Sequence, residues 1–215
     1  MGGADVVSTH LLRVLMIRAI EVISRASIYI GGEIRGFLWE RKSMSAMQIE
    51  TQVNGRSVLW ASDAGANVLQ TLRNQMGLTA TRYGCGQEQC GACHVLIDGQ
   101  SKPTCKLPID ALVGHSVVTL ESAQNSDLPS TPFLKALQSA FIAEQAAQCG
   151  YCTSGLLISA TALLMNAHGA VSETQIREAL EPHLCRCGMH NRVLRAVKEA
   201  AHLSGLKVVH SEVSV

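Results

Sequence analysis

CGQEQCGAC, residues 85–93, sets three thiols in the spacing C-x4-C-x2-C, and Gly84, Gly86 and Gly91 lie among them. Cys105 follows as a fourth. The other four of the chain's eight cysteines stand far downstream, Cys149 and Cys152 in CGYC and Cys185 and Cys187 in CRC, so no thiol is left over. An even count admits disulfides, but these belong to oxidising compartments and usually to short, loop-rich chains. Here 215 residues with 47% hydrophobic content are enough for one large or two small domains with a substantial core. The apolar runs of the first 30 residues are broken by Arg13, Arg18, Glu21 and Arg25, so neither a signal-peptide core nor a transmembrane segment can be drawn. Reduced thiols in a cytoplasmic setting point to metal.

The charge balance narrows the partners. A formal net charge of +1 offers no basic field, and there is neither a phosphate-binding glycine loop nor an aromatic-basic stripe, which argues against nucleic acid. The first cysteine set, Cys85, Cys90, Cys93 and Cys105, matches the opening of the plant-type 2Fe-2S pattern, although its fourth ligand comes sooner than in a typical plant ferredoxin. Glycines around the thiols let the backbone pass close to inorganic sulfide and turn N–H groups toward negative charge. Structural zinc is the alternative, but zinc sites usually pair two short C-x2-4-C knuckles and do not need a glycine-lined loop carrying three cysteines. The second set, Cys149, Cys152, Cys185 and Cys187, reads C-x2-C-x32-C-x-C. Each of its pairs precedes an expected helix, so two helix N-termini would converge on one anionic cluster and favour thiolates.

The rest of the chain supplies the scaffold, and the expected fold class is α+β. Residues 1 to 46 carry helical spacing at Leu12, Leu15, Ala19, Val22 and Ala26. This N-terminal extension reads either as an anchor or targeting segment or as the product of a start codon assigned too early, with Met44 or Met47 the real beginning. MQIETQV and RSVLW around Asn54-Gly55 predict a hairpin. A helix holding Val68, Leu69, Leu72 and Met76 follows, with Gly77 as its stop, and then come strands at HVLID, at Ser101 to Cys105 and at SVVTL. That is a small mixed sheet crossed by one helix, assigned to 47–121. ESAQNSDLPST is the linker. Residues 131–205 predict four short helices in an antiparallel bundle: one with Thr131 as N-cap and Pro132 first, one over about Thr153 to His168, one opened by a Ser172/Gln175 capping box, and one from about His190 to Leu203. Residues 206–215 form a tail.

Three strings, YGCGQEQCGACHVLIDG at 83–99, AEQAAQCGYCTSGLL at 143–157 and LCRCGMHNRVLRAV at 184–197, together resemble the small iron-sulfur subunit of the molybdenum hydroxylases, the xanthine oxidase family. Within it the resemblance is greatest to the short subunits of bacterial nicotinate dehydrogenase and isoquinoline oxidoreductase. It covers about residues 47 to 203, and all eight cysteines fall on motif positions. The resemblance implies a ferredoxin-like β-grasp domain followed by a four-helix-bundle domain, each with a 2Fe-2S cluster. It also implies a large molybdenum-binding partner subunit with molybdopterin cytosine dinucleotide, which hydroxylates an N-heterocycle or aldehyde using water. Electrons would leave molybdenum, enter the helical-domain cluster and pass through the β-grasp cluster to an external acceptor, a flavoprotein or a cytochrome. A free-standing two-cluster ferredoxin is the alternative reading. Gln148 precedes Cys149, where the family's glutamine contacts the pterin; its amide both donates and accepts, and the plainer reading is a helix cap. The chain itself has no nucleophile-base pair, flavin fingerprint or molybdenum ligand, so no catalytic residue is assigned to it.

Two positions depart from the family pattern. Glu88 stands where the second loop glycine is expected, which predicts a slightly rearranged loop and a lower cluster potential. His94 replaces a common threonine and reads as a solvent-facing strand residue. His115, His168, His183, His190, Met165 and Met189 need no role beyond surface or packing.

Overall fold

The structure is a computed structural model that describes residues 47–62, 65–125 and 128–209. The N-terminal extension, and with it the choice between an anchor and an early start, lies outside the described residues.

The first half is built on the predicted hairpin. Strands β1 (Met47–Val53) and β2 (Arg56–Ser62) pair antiparallel, with Ile49, Thr51 and Val53 inward and Gln48, Glu50 and Gln52 outward. Asn54 and Gly55 both take positive φ (52° and 79°), as the tight hairpin turn that suits strand twist requires. Asn67 caps α1 (Val68–Asn74) by accepting the Gln70 N–H at 2.8 Å, and Val68, Leu69 and Leu72 are buried. Strands β3 (His94–Ile97) and β4 (Gln100–Pro103) pair antiparallel, and β5 (Ser116–Val118) runs parallel to β1 and antiparallel to β3. The five-stranded order is β2-β1-β5-β3-β4, the mixed sheet expected.

The second half opens after a short helix, α2 (Ser122–Asn125), inside the linker. Its helices are α3 (Thr131–Ala143), α4 (Thr153–Met165), α5 (Glu173–Leu180) and α6 (His190–Leu203). Three details differ from the sequence reading. The N-cap of α3 is Ser130, with Pro132 as the second helical residue, one position earlier than expected. Helix α4 stops at Met165 rather than near His168, because Asn166 closes it by turning its side-chain amide back to the Ala162 carbonyl. Two strands of three residues, β6 (Ala170–Ser172) and β7 (Lys207–Val209), pair in parallel, so residues just beyond the last helix are tied to the turn before α5. The capping box at Ser172 and Gln175 forms as predicted, with both reciprocal bonds present.

Every residue of β3 is buried, and this fixes how the halves meet. Val95 and Ile97 join the first core with Ile49, Val68, Leu72 and Val117. Leu96, on the opposite face, packs with Leu134, Ile158 and Ala162 of the helical half. Helix α4 is therefore apolar nearly all round: it has the sheet on one side and α3 and α5 on the other. The described residues all fall in one compact unit.

Candidate metal centres

The 85–93 loop joins α1 to β3, and its backbone is wrapped around its own sulfurs. The Gln87 and Gln89 N–H groups donate to Cys85 Sγ at 3.3 and 3.2 Å, and the Cys85 N–H donates to Cys90 Sγ at 3.3 Å. Cys105, just past β4, is brought against Cys93, and both are buried with Leu69. The Glu88 N–H points to Cys105, and the Thr104 N–H donates to Cys93 Sγ at 3.4 Å. Successive N–H groups facing one concavity make a nest for negative charge. The Gln87 N–H is the main influence pulling the Cys85 thiol down to about 7, whereas burial pushes Cys105 up to about 11. A thiol so raised ionises only with a cation beside it.

The glycines of this loop have specific duties. A Cβ on Gly84 would lie 2.5 Å from Cys90 Sγ, so only glycine admits the sulfur. Glu88 takes the left-handed conformation that glycine favours, φ 64°, and its N–H points to Cys105.

The second set assembles from two distant pairs. Cys149 and Cys152 lie in the 144–152 loop, with Cys152 at the N-cap of α4, and Cys185 and Cys187 lie in the loop before α6. Packing of the helices brings Cys149 against Cys187 and Cys152 against Cys185. The Tyr151 N–H, aided by the Cys187 thiol, holds Cys149 below the ordinary thiol range. Burial pushes Cys152 up to about 12. At Cys185 burial acts upward, but the Met189 N–H and the Cys152 thiol outweigh it, and the group ends lower.

Each set offers four sulfurs, linked in pairs, with backbone N–H groups turned toward them. All-sulfur donation with N–H groups on the thiolates suits an iron-sulfur cluster, whose charge those bonds stabilise.

The two sets adjoin. The Leu184 N–H, next to Cys185, donates to the Cys90 carbonyl at 3.1 Å. A Cβ on Gly155 of α4 would meet the Gly91 carbonyl at 2.1 Å, so the helix touches the first loop backbone to backbone. Beside this contact His183 Nε2 and Ser159 Oγ are 2.7 Å apart, Ser159 and Ser101 hydroxyls 2.6 Å, and His94 Nδ1 and Ser101 Oγ 2.8 Å. The two imidazoles lie edge to face, centroids 4.8 Å apart. Burial lowers His94 to about 4 and His183 to about 3, so both are neutral hydrogen-bonding groups at neutral pH. His94 is therefore not solvent-facing: the helical half covers that face of β3. The run HVLI, which lacks polar alternation, carried the signal for two-sided burial.

Gln148 is exposed in the 144–152 loop and caps no helix, since the N-cap of α4 is Cys152. It borders a cavity of about 770 Å³ with Phe141, Ile142, Met189 and Arg192. Ile142, 79% exposed, makes one rim apolar.

Residues 51–113 match the family model of the 2Fe-2S iron-sulfur cluster binding domain, and residues 119–198 that of the [2Fe-2S] binding domain. The A component of nicotinate dehydrogenase from Pseudomonas putida is 42% identical over 153 residues, 71% of this chain and 94% of that protein. The alpha chain of isoquinoline 1-oxidoreductase from Brevundimonas diminuta is 39% identical over 158 residues, 71% and 99% of the two chains. Among solved structures, quinoline 2-oxidoreductase from Pseudomonas putida 86 superposes with a TM-score of 0.64 at 31% identity, covering 74% of this chain and 94% of that one. Aldehyde oxidoreductase from Desulfovibrio gigas gives 0.65 at 31% identity, covering 74% of this chain but 17% of a much longer one.

Proposed function

This chain belongs to the 2Fe-2S iron-sulfur subunits of the molybdenum hydroxylases, the xanthine oxidase family, and we propose from that premise that it carries electrons out of a large molybdenum-binding subunit. It is part of an oxidoreductase complex and is not catalytic alone. Cys85, Cys90, Cys93 and Cys105 hold the cluster of the β-grasp domain, residues 47–121, and Cys149, Cys152, Cys185 and Cys187 hold that of the helical domain, residues 131–205. The partner's molybdenum with molybdopterin cytosine dinucleotide supplies hydroxylation of an N-heterocycle or aldehyde by water, which releases two electrons and two protons, and each bound cluster stores one of those electrons.

The chain's own residues hold and orient the route. What supports the reading is the meeting of the two four-cysteine sets across one close-packed junction, with the Leu184 N–H on the Cys90 carbonyl. Gln148, one residue before Cys149 at the mouth of the cavity, presents a donor and an acceptor to the pterin edge. The apolar rim at Ile142 offers a surface for the large subunit to cover. The electrons leave to a flavoprotein or cytochrome. We set the complex in the cytoplasm, where eight thiols stay reduced until iron binds. Among the described residues no helix is long and apolar enough to cross a membrane.

The test is made on the purified complex. Two irons and two sulfides per cluster, with two distinguishable reduced signals in paramagnetic resonance, are expected; zinc without sulfide would sink the reading. Gln148→Ala should leave both signals and reduction by dithionite unchanged while slowing reduction by substrate. Equal substrate-driven rates in a rapid-mixing experiment would remove Gln148 from the route.

A further inference from the structure

Arg82 lies three residues before Cys85, yet its side chain serves the other cysteine set. Its backbone N–H donates to the Ala92 carbonyl at 3.0 Å, which fixes the residue beside the first loop. Its guanidinium reaches away from that loop and donates to the Gly150 carbonyl, between Cys149 and Cys152. It lies over the Tyr151 ring, 5.5 Å from the centroid. The Tyr151 hydroxyl returns the bond by donating to the Tyr83 carbonyl. Two reciprocal bonds thus strap one cysteine loop to the other. Among the described residues no carboxylate pairs with Arg82, so its charge is uncompensated where it meets the second loop.

We propose that Arg82 tunes the helical-half cluster from the other half of the molecule: its guanidinium raises that cluster's reduction potential while its bond to Gly150 holds the ligand loop in place. The inference rests on the cluster assignment above. Reduction adds one electron, and so one more negative charge, to a site already anionic. A fixed cation beside it stabilises the reduced form more than the oxidised form. The effect makes the helical-half cluster the readier acceptor of electrons arriving from molybdenum. No feature of the ligand spacing marks Arg82, because its target is reached through the fold.

The experiment is a redox titration of the assembled complex with dithionite as reductant, following both paramagnetic signals. Arg82→Gln should lower the midpoint of the helical-half cluster and leave that of the β-grasp cluster in place, and Arg82→Lys should restore most of the difference. Tyr151→Glu supplies a second handle that keeps Arg82: a carboxylate under the guanidinium neutralises it and should lower the same midpoint. An unshifted helical-half midpoint in Arg82→Gln overturns the proposal. If that variant fails to load its clusters, an unshifted midpoint in Tyr151→Glu does so instead. Both midpoints moving together, or a lysine variant shifted as far as the glutamine one, also refutes a directed charge. Absence of two cluster signals from the unmodified complex would instead count against the proposed function.

Discussion

In the β-grasp half three of the four cysteines share one short loop, and the loop's own N–H groups close on the sulfurs. In the helical half the cysteines come as two pairs, C-x2-C and C-x-C, separated along the chain and joined only because the fold brings the segment before α4 against the segment before α6. The first arrangement is a local structure that the rest of the fold buries. The second is a product of the fold. Both present N–H groups to thiolates, the one through a nest and the other through helix termini, so similar electrostatics arise from different sequence distances.

The largest effect that would sharpen this contrast is removal of a ligand. Cys90→Ser and Cys185→Ser should each abolish the signal of their own cluster and leave the other. The helical-half variant should lose more thermal stability, by about 1 kcal/mol on loop-closure entropy, because its cluster closes the longer stretch of chain. Loss of both signals in either folded variant would mean that the sets are one unit.

Next in size is Gly155→Ala, aimed at the place where the contrast ends and the halves touch. Helix propensity alone would favour alanine by about 1 kcal/mol. The added Cβ, however, would meet the Gly91 carbonyl at 2.1 Å, and a backbone oxygen bound into a ligand loop has little room to yield. Overpacking of this kind costs about 1–3 kcal/mol, so clashes win and the temperature at which the clusters bleach should fall. A rise in that temperature would show that the junction is looser than the geometry implies.

Glu88→Gly comes third and is confined to the first set. It removes a left-handed non-glycine, φ 64°, and a negative charge beside the cluster. Stability should change by no more than about 1 kcal/mol, since relief of strain is offset by the freedom glycine adds to the unfolded chain. The β-grasp midpoint should rise and the helical-half midpoint stay, read in the same redox titration; movement of both would erase the electrical separation of the halves.

The smallest effect compares ion-paired carboxylates in the two halves. Lys198 chiefly, then Arg177, hold Glu173 down to about 2, and the Ser116 N–H chiefly, then His115, hold Asp98 below its ordinary range. In both cases the unfolded chain takes up its proton first as pH falls, so the stabilisation is complete above the ordinary carboxylate range. For Glu173 it is lost between about 4.5 and about 2. Unfolding curves of the wild type and Glu173→Gln should differ slightly at pH near 6 and converge as pH falls toward 2. A gap that widened in acid would contradict the sign.

Features with a short-range cause could be read directly from the chain. Asn54-Gly55 dictated its turn, Ser172 and Gln175 their capping box, and the 3.6-residue period of Val193, Val197 and Ala201 the last helix. Ser130 against Thr131 as the cap of α3 is a one-residue shift that neighbouring cap-forming residues cannot resolve. The strands β6 and β7 were hidden because three residues carry too little alternation and their partners lie far apart in the chain.

The amino-acid sequence by itself determined eight thiols in two sets, a mixed sheet followed by helices, and a loop whose glycines admit sulfur. The tertiary structure alone decided that β3 is covered on both faces, that His94 and His183 meet through two serines, and that Arg82 reaches Gly150 from the other half. Spacing and propensity act over a few residues, while burial and the direction of a charge depend on which distant surfaces the packing of α4 against β3 brings together.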